Sequence, residues 1–181
     1  MHVTEIYTLP LGTTEYQWKF VGTEIESTSL ISAQNIIDKN DLNDFIELRY
    51  QKEKRCIFKN ILQKGESFTF TMCNPPFYNS EAEAIGANKR KSRNLGNTAV
   101  RNFSGKQNEL WYEGGEKAFL HVYLYESSQF PEVSTWFTSI VSKKENIESL
   151  EHSAQKLGAT KFKVIPMYQG NKITRIAAWQ F

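Results

Sequence analysis

Apolar residues recur along the chain in short strand-like runs, separated by stretches with helical spacing. Residues 18–25, WKFVGTEI, are rich in aromatic and β-branched types and predict a strand. SLISAQNIIDKN (29–40) then places Leu30, Ala33, Ile36 and Ile37 at helical spacing, with Ser27 to Ser29 available as caps. FIELRYQK (45–52) alternates as a second strand, and residues 53–63, holding Ile57, Phe58, Ile61 and Leu62, predict one or two helical turns. SFTFTMC (67–73) is the third strand.

The pattern then changes. From 78 to 112 the chain is polar, Asn- and Ser-rich and basic, which predicts a long loop with short helical pieces. GGEKAFLHVYLYESSQF (114–130) starts a helix after two glycines, and EVSTWFTSIVSK (132–143) is a fourth strand, apolar on both faces near its centre. NIESLEHSAQKLGA (146–159) predicts an amphipathic helix ended by Gly158. TKFKVIPMYQ (160–169) and ITRIAAWQF (173–181) are two last strands joined by Gly-Asn-Lys at 170–172, short enough for an antiparallel hairpin. Strands separated by helices imply an α/β fold with a mostly parallel sheet, to which the hairpin adds one antiparallel strand at or near an edge.

Composition narrows this picture a little. A chain of 181 residues is expected to be one domain with a sizeable core, and 40% hydrophobic and 23% charged residues are ordinary values for a globular protein. A net charge of +2 implies no nucleic-acid partner by itself, so the argument rests on where the cations sit. The aromatic content of 13% fits a packed core, stacking surfaces, or both. Two cysteines (Cys56, Cys73) and three scattered histidines (His2, His121, His152) give neither a disulfide framework nor metal-ligand spacing, so no metal is expected. MHVTEIYTLPLG lacks the basic and apolar regions of a secretory signal, and no apolar run has the length of a membrane span. The expected compartment is the cytoplasm.

Three features carry candidate chemistry. Glu24 ends the first strand, a position from which an acidic residue commonly accepts hydrogen bonds from the ribose of a nucleotide-like cofactor; an exposed strand-end Glu is the bland alternative. After the third strand comes Asn74-Pro75-Pro76-Phe77. Asn74 supplies a side-chain carbonyl and Pro75 a backbone carbonyl whose direction the rings hold, and two such acceptors can bind both hydrogens of an –NH₂ group. Phe77 can stack on a flat base, worth roughly 1–3 kcal/mol. A stiff turn with a core Phe is the alternative. Between Ala87 and Asn108 lie six cations and no acidic residue, which suits phosphate contacts as well as it suits a solvated loop.

These residues belong to longer recognisable stretches. YQWKFVGTEIESTSLISAQ (16–34), MCNPPFYNS (72–80), KRKSRNLG (89–96), NELWYEGGE (108–116), WFTSIVSKKEN (136–146) and QGNKITRIAAW (169–179) follow one another along nearly the whole chain. Together they resemble the ribosomal RNA large subunit methyltransferase F family, S-adenosylmethionine-dependent enzymes that methylate N6 of an adenine in 23S rRNA. The resemblance implies a Rossmann-like class I methyltransferase sheet ending in the reversed hairpin strand. Position by position, Asn74, Pro75, Pro76 and Phe77 match the catalytic motif that holds the target amine. Glu24 matches the acidic residue at the cofactor ribose, and Lys89, Arg90, Lys91 and Arg93 fall in a segment suited to contact RNA. The target adenine is expected to leave its stack to reach such a cradle.

The chain also departs from the family pattern. Family members begin well upstream, with a first strand ending in an Asp-Ile-Gly-x-Gly-type loop around the cofactor, whereas Met1 falls inside or just after that loop. A first strand and glycine-rich loop are therefore expected to be missing, leaving a gap between the strands that end at Glu24 and Asn74 unless they rearrange or a second copy fills it. A helix from Tyr7 to Gly12 matches in part, and Tyr112 and Ser104 are smaller departures. Two other readings stand beside the leading one: methylation of DNA adenine or a protein glutamine amide, and a non-catalytic remnant of the family that binds RNA weakly.

Overall fold

The computed structural model describes the backbone of residues 8–94, 110–169 and 172–181, and the side chains of 12–87, 110–168 and 173–181. The chain divides into two compact units, Met1–Glu66 and Ser67–Phe181.

The first unit is a helix followed by a β-α-β crossover. Helix α1 (Thr8–Tyr16) precedes β1 (Phe20–Glu24), α2 (Ser27–Lys39) and β2 (Ile46–Tyr50). β1 and β2 are parallel, in register from Phe20 opposite Ile46 to Glu24 opposite Tyr50. The helical spacing read in the sequence is the face that packs: Ala33 and Ile37 are buried with Leu42 and Ile46, and Phe20, Ile36, Phe45 and Leu48 close around them. The helix begins at Ser27, not after a serine cap. Glu26 is the extended N-cap residue, and no side chain caps the turn.

The helical turns expected in 53–63 do not form. Asn60 adopts a left-handed φ of 66°, and the buried Gln51 amide occupies the Lys59 carbonyl at 2.8 Å while accepting from the Glu53 N–H at 2.9 Å. The segment is therefore a series of turns that nonetheless buries Ile57, Phe58 and Ile61. Arg49 ties it to the strand, donating to the Ile61 carbonyl at 3.0 Å and making a two-pronged ion pair with Glu66 at 2.7 and 2.6 Å.

The second unit contains β3 (Phe68–Cys73), α3 (Glu81–Asn94), α4 (Gly115–Gln129), a 3₁₀ turn (Pro131–Val133), β4 (Ser134–Val141), α5 (Glu145–Lys156), β5 (Lys161–Gln169) and β6 (Lys172–Gln180). Its strands are ordered β3-β4-β6-β5. β3 and β4 are parallel, β6 is antiparallel to both its neighbours, and so β6 alone runs against the other three. The expected hairpin is confirmed by the pairing of Gln169 with Lys172, although Gly170 and Asn171 lie outside the described residues. Trp179, Phe137, Val141, Tyr123, Leu124 and Leu150 are fully buried and form the core of this unit. α5 contributes Asn146, Leu150 and Ala154 at four-residue spacing, and Gly158 follows its end at φ 88°.

The strands thus form two sheets, one of two strands and one of four. Among the described residues β1 pairs with β2 alone and β3 with β4 alone. Each therefore keeps one edge without a strand partner among the described residues.

The stretch 78–112 also differs from its reading as a long loop. Its first part is helix α3, of 14 residues. Ser80-Glu81-Ala82-Glu83 starts it as a capping-box sequence: the Glu83 N–H donates to Ser80 Oγ at 3.3 Å, and Glu83 Oε2 accepts from the Asn79 N–H at 2.9 Å. That signal was present in the sequence and was outweighed by the run of Asn, Ser and cations after it. Ser104 and residues 95–109 lie outside the described residues.

Candidate active site

β3 is bound to β4 by more than its backbone ladder. Thr138 Oγ1 donates to the Thr71 carbonyl at 2.6 Å, and Ser139 Oγ to the Cys73 carbonyl at 3.3 Å. The Thr71 hydroxyl meets the phenol of Tyr123 on α4, whose OH also donates to the Thr138 carbonyl at 3.3 Å. Burial drives the Tyr123 phenol far above its ordinary value, so it acts as a neutral hydrogen-bonding group. The same cause pushes the Cys73 thiol up to about 11, and a thiol so placed is no nucleophile at neutral pH.

The chain leaves this anchored strand through Asn74, whose Oδ1 is buried, then the fully buried Pro75 and Pro76 and the half-buried Phe77. Two consecutive fixed φ angles with no N–H make the turn stiff from within. Three other segments make it stiff from outside. Tyr78 donates its N–H to the Leu110 carbonyl and accepts from the Tyr112 N–H, both at 3.0 Å, which forms a parallel bridge between Tyr78 and Trp111. Next, Asn79 lies against Gly115: a Cβ at Gly115 would stand 2.2 Å from Asn79 Oδ1, and Gly115 has a φ of 65°. Only glycine satisfies both conditions.

Glu116 supplies the third brace. Its buried carboxylate accepts from the Ser142 N–H at 2.7 Å, Ser142 Oγ at 2.6 Å, the Lys143 N–H at 3.2 Å and Asn146 Nδ2 at 2.6 Å. Four donors on one buried carboxylate lock the start of α4 to the carboxyl end of β4 and the first turn of α5. The Glu-Gly-Gly-Glu stretch (113–116) is thereby joined to Ser142, Lys143 and Asn146, at the end of the stretch that begins Trp-Phe-Thr-Ser. Both stretches stand out in the sequence, but the role of Glu116 does not. Its partners are 26–30 residues away, and spacing along the chain carries no sign of them.

Glu24 lies in the other unit, at the carboxyl end of a parallel strand, where ligand-binding carboxylates sit in open α/β sheets. It is 1% exposed, not an exposed strand-end residue. Its Oε1 accepts from the N–H groups of Ile25 at 2.7 Å and Glu26 at 2.9 Å, which fixes the carboxylate at the first bend after β1. An oriented carboxylate there has the acceptor chemistry that ribose hydroxyls require. Lys89, Arg90, Lys91 and Arg93 continue the backbone of α3, and their side chains lie outside the described residues. Among the described residues no group of His, Cys, Asp and Glu could hold a metal ion, and no helix is long and apolar enough to cross a membrane.

A model of a family described as RNA methyltransferase matches residues 3–181. The chain belongs to this RNA methyltransferase family. It is 44% identical to the Ribosomal RNA large subunit methyltransferase F of Shewanella sp. (strain ANA-3), over 94% of this chain and 50% of that protein. It is also 44% identical to the protein of the same name from Flavobacterium psychrophilum, over 94% of this chain and 56% of that one. The chain thus spans about half the length of these curated relatives.

Among solved structures, the hMettl16 catalytic domain in complex with a MAT2A 3'UTR hairpin superposes with a TM-score of 0.80 at 27% identity, covering 97% of this chain and 60% of that one. The N-terminal domain of human METTL16 in complex with SAH has a TM-score of 0.70 at 22% identity, over 96% of this chain and 56% of that one. The fold is therefore the Rossmann-like fold of RNA methyltransferase family members, as the strand order and reversed β6 already indicated.

Proposed function

We propose that the chain is a single methyltransferase domain that transfers a methyl group from S-adenosylmethionine to the exocyclic N6 amine of an adenine in 23S ribosomal RNA. The observation that carries this reading is the Asn74–Phe77 turn: a buried side-chain carbonyl beside two buried prolines, stiffened by Tyr78, Gly115 and Glu116. Family membership and the relatives named as rRNA methyltransferases support it.

In this mechanism Asn74 Oδ1 and the Pro75 carbonyl accept the two N–H bonds of the target amine. An adenine amine is a poor nucleophile because its lone pair is delocalised into the ring. Acceptors that hold both hydrogens out of the ring plane favour the geometry in which that pair can attack. Phe77 stacks on the extruded base, and the cations Lys89, Arg90, Lys91 and Arg93 contact the RNA backbone. Glu24 holds the ribose of the cofactor, which when bound supplies an electrophilic methyl group on a sulfonium. The amine lone pair would take the methyl as the sulfur–methyl bond breaks and its electron pair stays on sulfur as a neutral thioether. The amine would then release one proton to solvent. Reaction on ribosomal RNA places the protein in the cytoplasm.

The test is methyl incorporation from labelled S-adenosylmethionine into 23S rRNA fragments, DNA and protein, side by side. Incorporation into RNA at adenine N6, reduced about 100-fold or more by Asn74→Ala, is the expected result, a loss typical of removing one transition-state contact. Incorporation only into DNA or a glutamine amide would redirect the reading. Calorimetry that finds no cofactor binding at millimolar concentration would reduce the chain to an RNA-binding remnant.

A further inference from the structure

Two indoles bury their N–H groups in the second unit, and only one has a protein acceptor. Trp179 donates Nε1–H to Ser127 Oγ at 2.9 Å in the core. Trp111 Nε1 is equally buried, with no acceptor. A buried donor left without a partner costs free energy, and native structures keep few of them. Trp111 is not at liberty to turn its backbone away, because the bridge to Tyr78 holds it on both sides through the Leu110 carbonyl and the Tyr112 N–H. The Tyr112 ring is fixed in turn, edge-on to Phe119 with centroids 5.4 Å apart. Tyr78 directly follows Phe77. The unpaired donor is therefore tethered to the residue that closes the amine cradle.

We propose that Trp111 is a substrate-positioning residue: its indole N–H donates to an adenine ring nitrogen flanking the amine held by Asn74 and Pro75. This rests on the amine-cradle reading and deepens it. An acceptor at N1 separates adenine from guanine, whose N1 carries a hydrogen, so the contact contributes base selectivity as well as orientation. N7 is the other flanking acceptor. Loss of the donor from Trp111 or of the acceptor from the base should have the same effect on binding.

The experiment uses the full chain and an oligouridylate carrying one adenosine, with the all-uridine strand as reference. Wild type should prefer the adenosine strand, and Trp111→Phe should weaken that preference about tenfold, the effect of one hydrogen bond to a buried group. Its Tm should stay level or rise, since no protein acceptor is lost. Strands with 1-deazaadenosine or 7-deazaadenosine need no mutation: one of them should lose the same affinity on wild type and nothing further on Trp111→Phe. Equal binding of both deaza strands, or a Trp111→Phe variant that loses Tm but keeps the adenosine preference, overturns the proposal alone. Failure of wild type to prefer adenosine overturns the cradle reading, and this inference with it.

Discussion

At the end of β1, Glu24 is held by its immediate neighbours, the N–H groups of Ile25 and Glu26. At the end of β3, the Asn74–Phe77 turn is held by residues from 110 to 146, through the Tyr78 bridge, the Gly115 contact and the four bonds to Glu116. The first arrangement is local and forms wherever the strand ends in that bend. The second exists only when α4, β4 and α5 have docked. A group that must orient one side chain can rely on two adjacent amides. A turn that presents two acceptors at a fixed separation, as in the proposed cradle, needs bracing from outside its own loop, because a flexible turn would lose that geometry.

The contrast predicts where substitutions should hurt. Glu116→Gln keeps the shape but turns an NH₂ toward donors that had a carboxylate, leaving buried N–H groups unpaired. A loss of about 3–5 kcal/mol in denaturant unfolding is expected, together with reduced methyl transfer. A loss below about 1 kcal/mol would mean that the brace is not what holds the turn. Gly115→Ala adds a Cβ at 2.2 Å from Asn79 Oδ1 in a left-handed conformation. It should cost about 2–3 kcal/mol by the same measurement.

Glu24→Gln should be far milder for stability, about 0.5–1 kcal/mol, because an amide oxygen still accepts from both backbone N–H groups. Its expected signature is weakened cofactor binding in calorimetry with an almost unchanged Tm. A large stability loss here would erase the distinction between the two strand ends. The smallest effect should come from acid. Hydrogen bonds from Arg49 lower the Glu66 and Glu47 carboxyls below the usual carboxylate range. Their contribution is full above that range and is lost as pH falls through it toward the lowered values. These groups are solvent-screened, so the change should stay within about 1 kcal/mol and shrink in Glu66→Gln, where only the Glu47 pairing with Arg49 is left.

Element positions were largely legible. The strands at 20–24, 46–50 and 68–73, the amphipathic face of α2, the Gly158 stop and the final hairpin all follow from periodicity and turn chemistry, which act over a few residues. The failures have physical causes too. Residues 53–63 pack apolar side chains as a helix would, yet Gln51 and Asn60 divert the backbone into turns. The polar surface of α3 hid its cap, although Ser80 and Glu83 announced it.

The sequence by itself determined the candidate chemistry: a carboxylate after β1, paired carbonyls after β3, cations beyond them, and a family pattern that linked all three. These are local facts, set by residue type and by position relative to a strand end. Only the tertiary structure decided that the paired carbonyls sit on a rigid support, that Glu116 and Gly115 build that support, and that one of two buried indoles was left without an acceptor. Each of those depends on groups far apart in the chain meeting within hydrogen-bond distance, which packing settles and periodicity does not record.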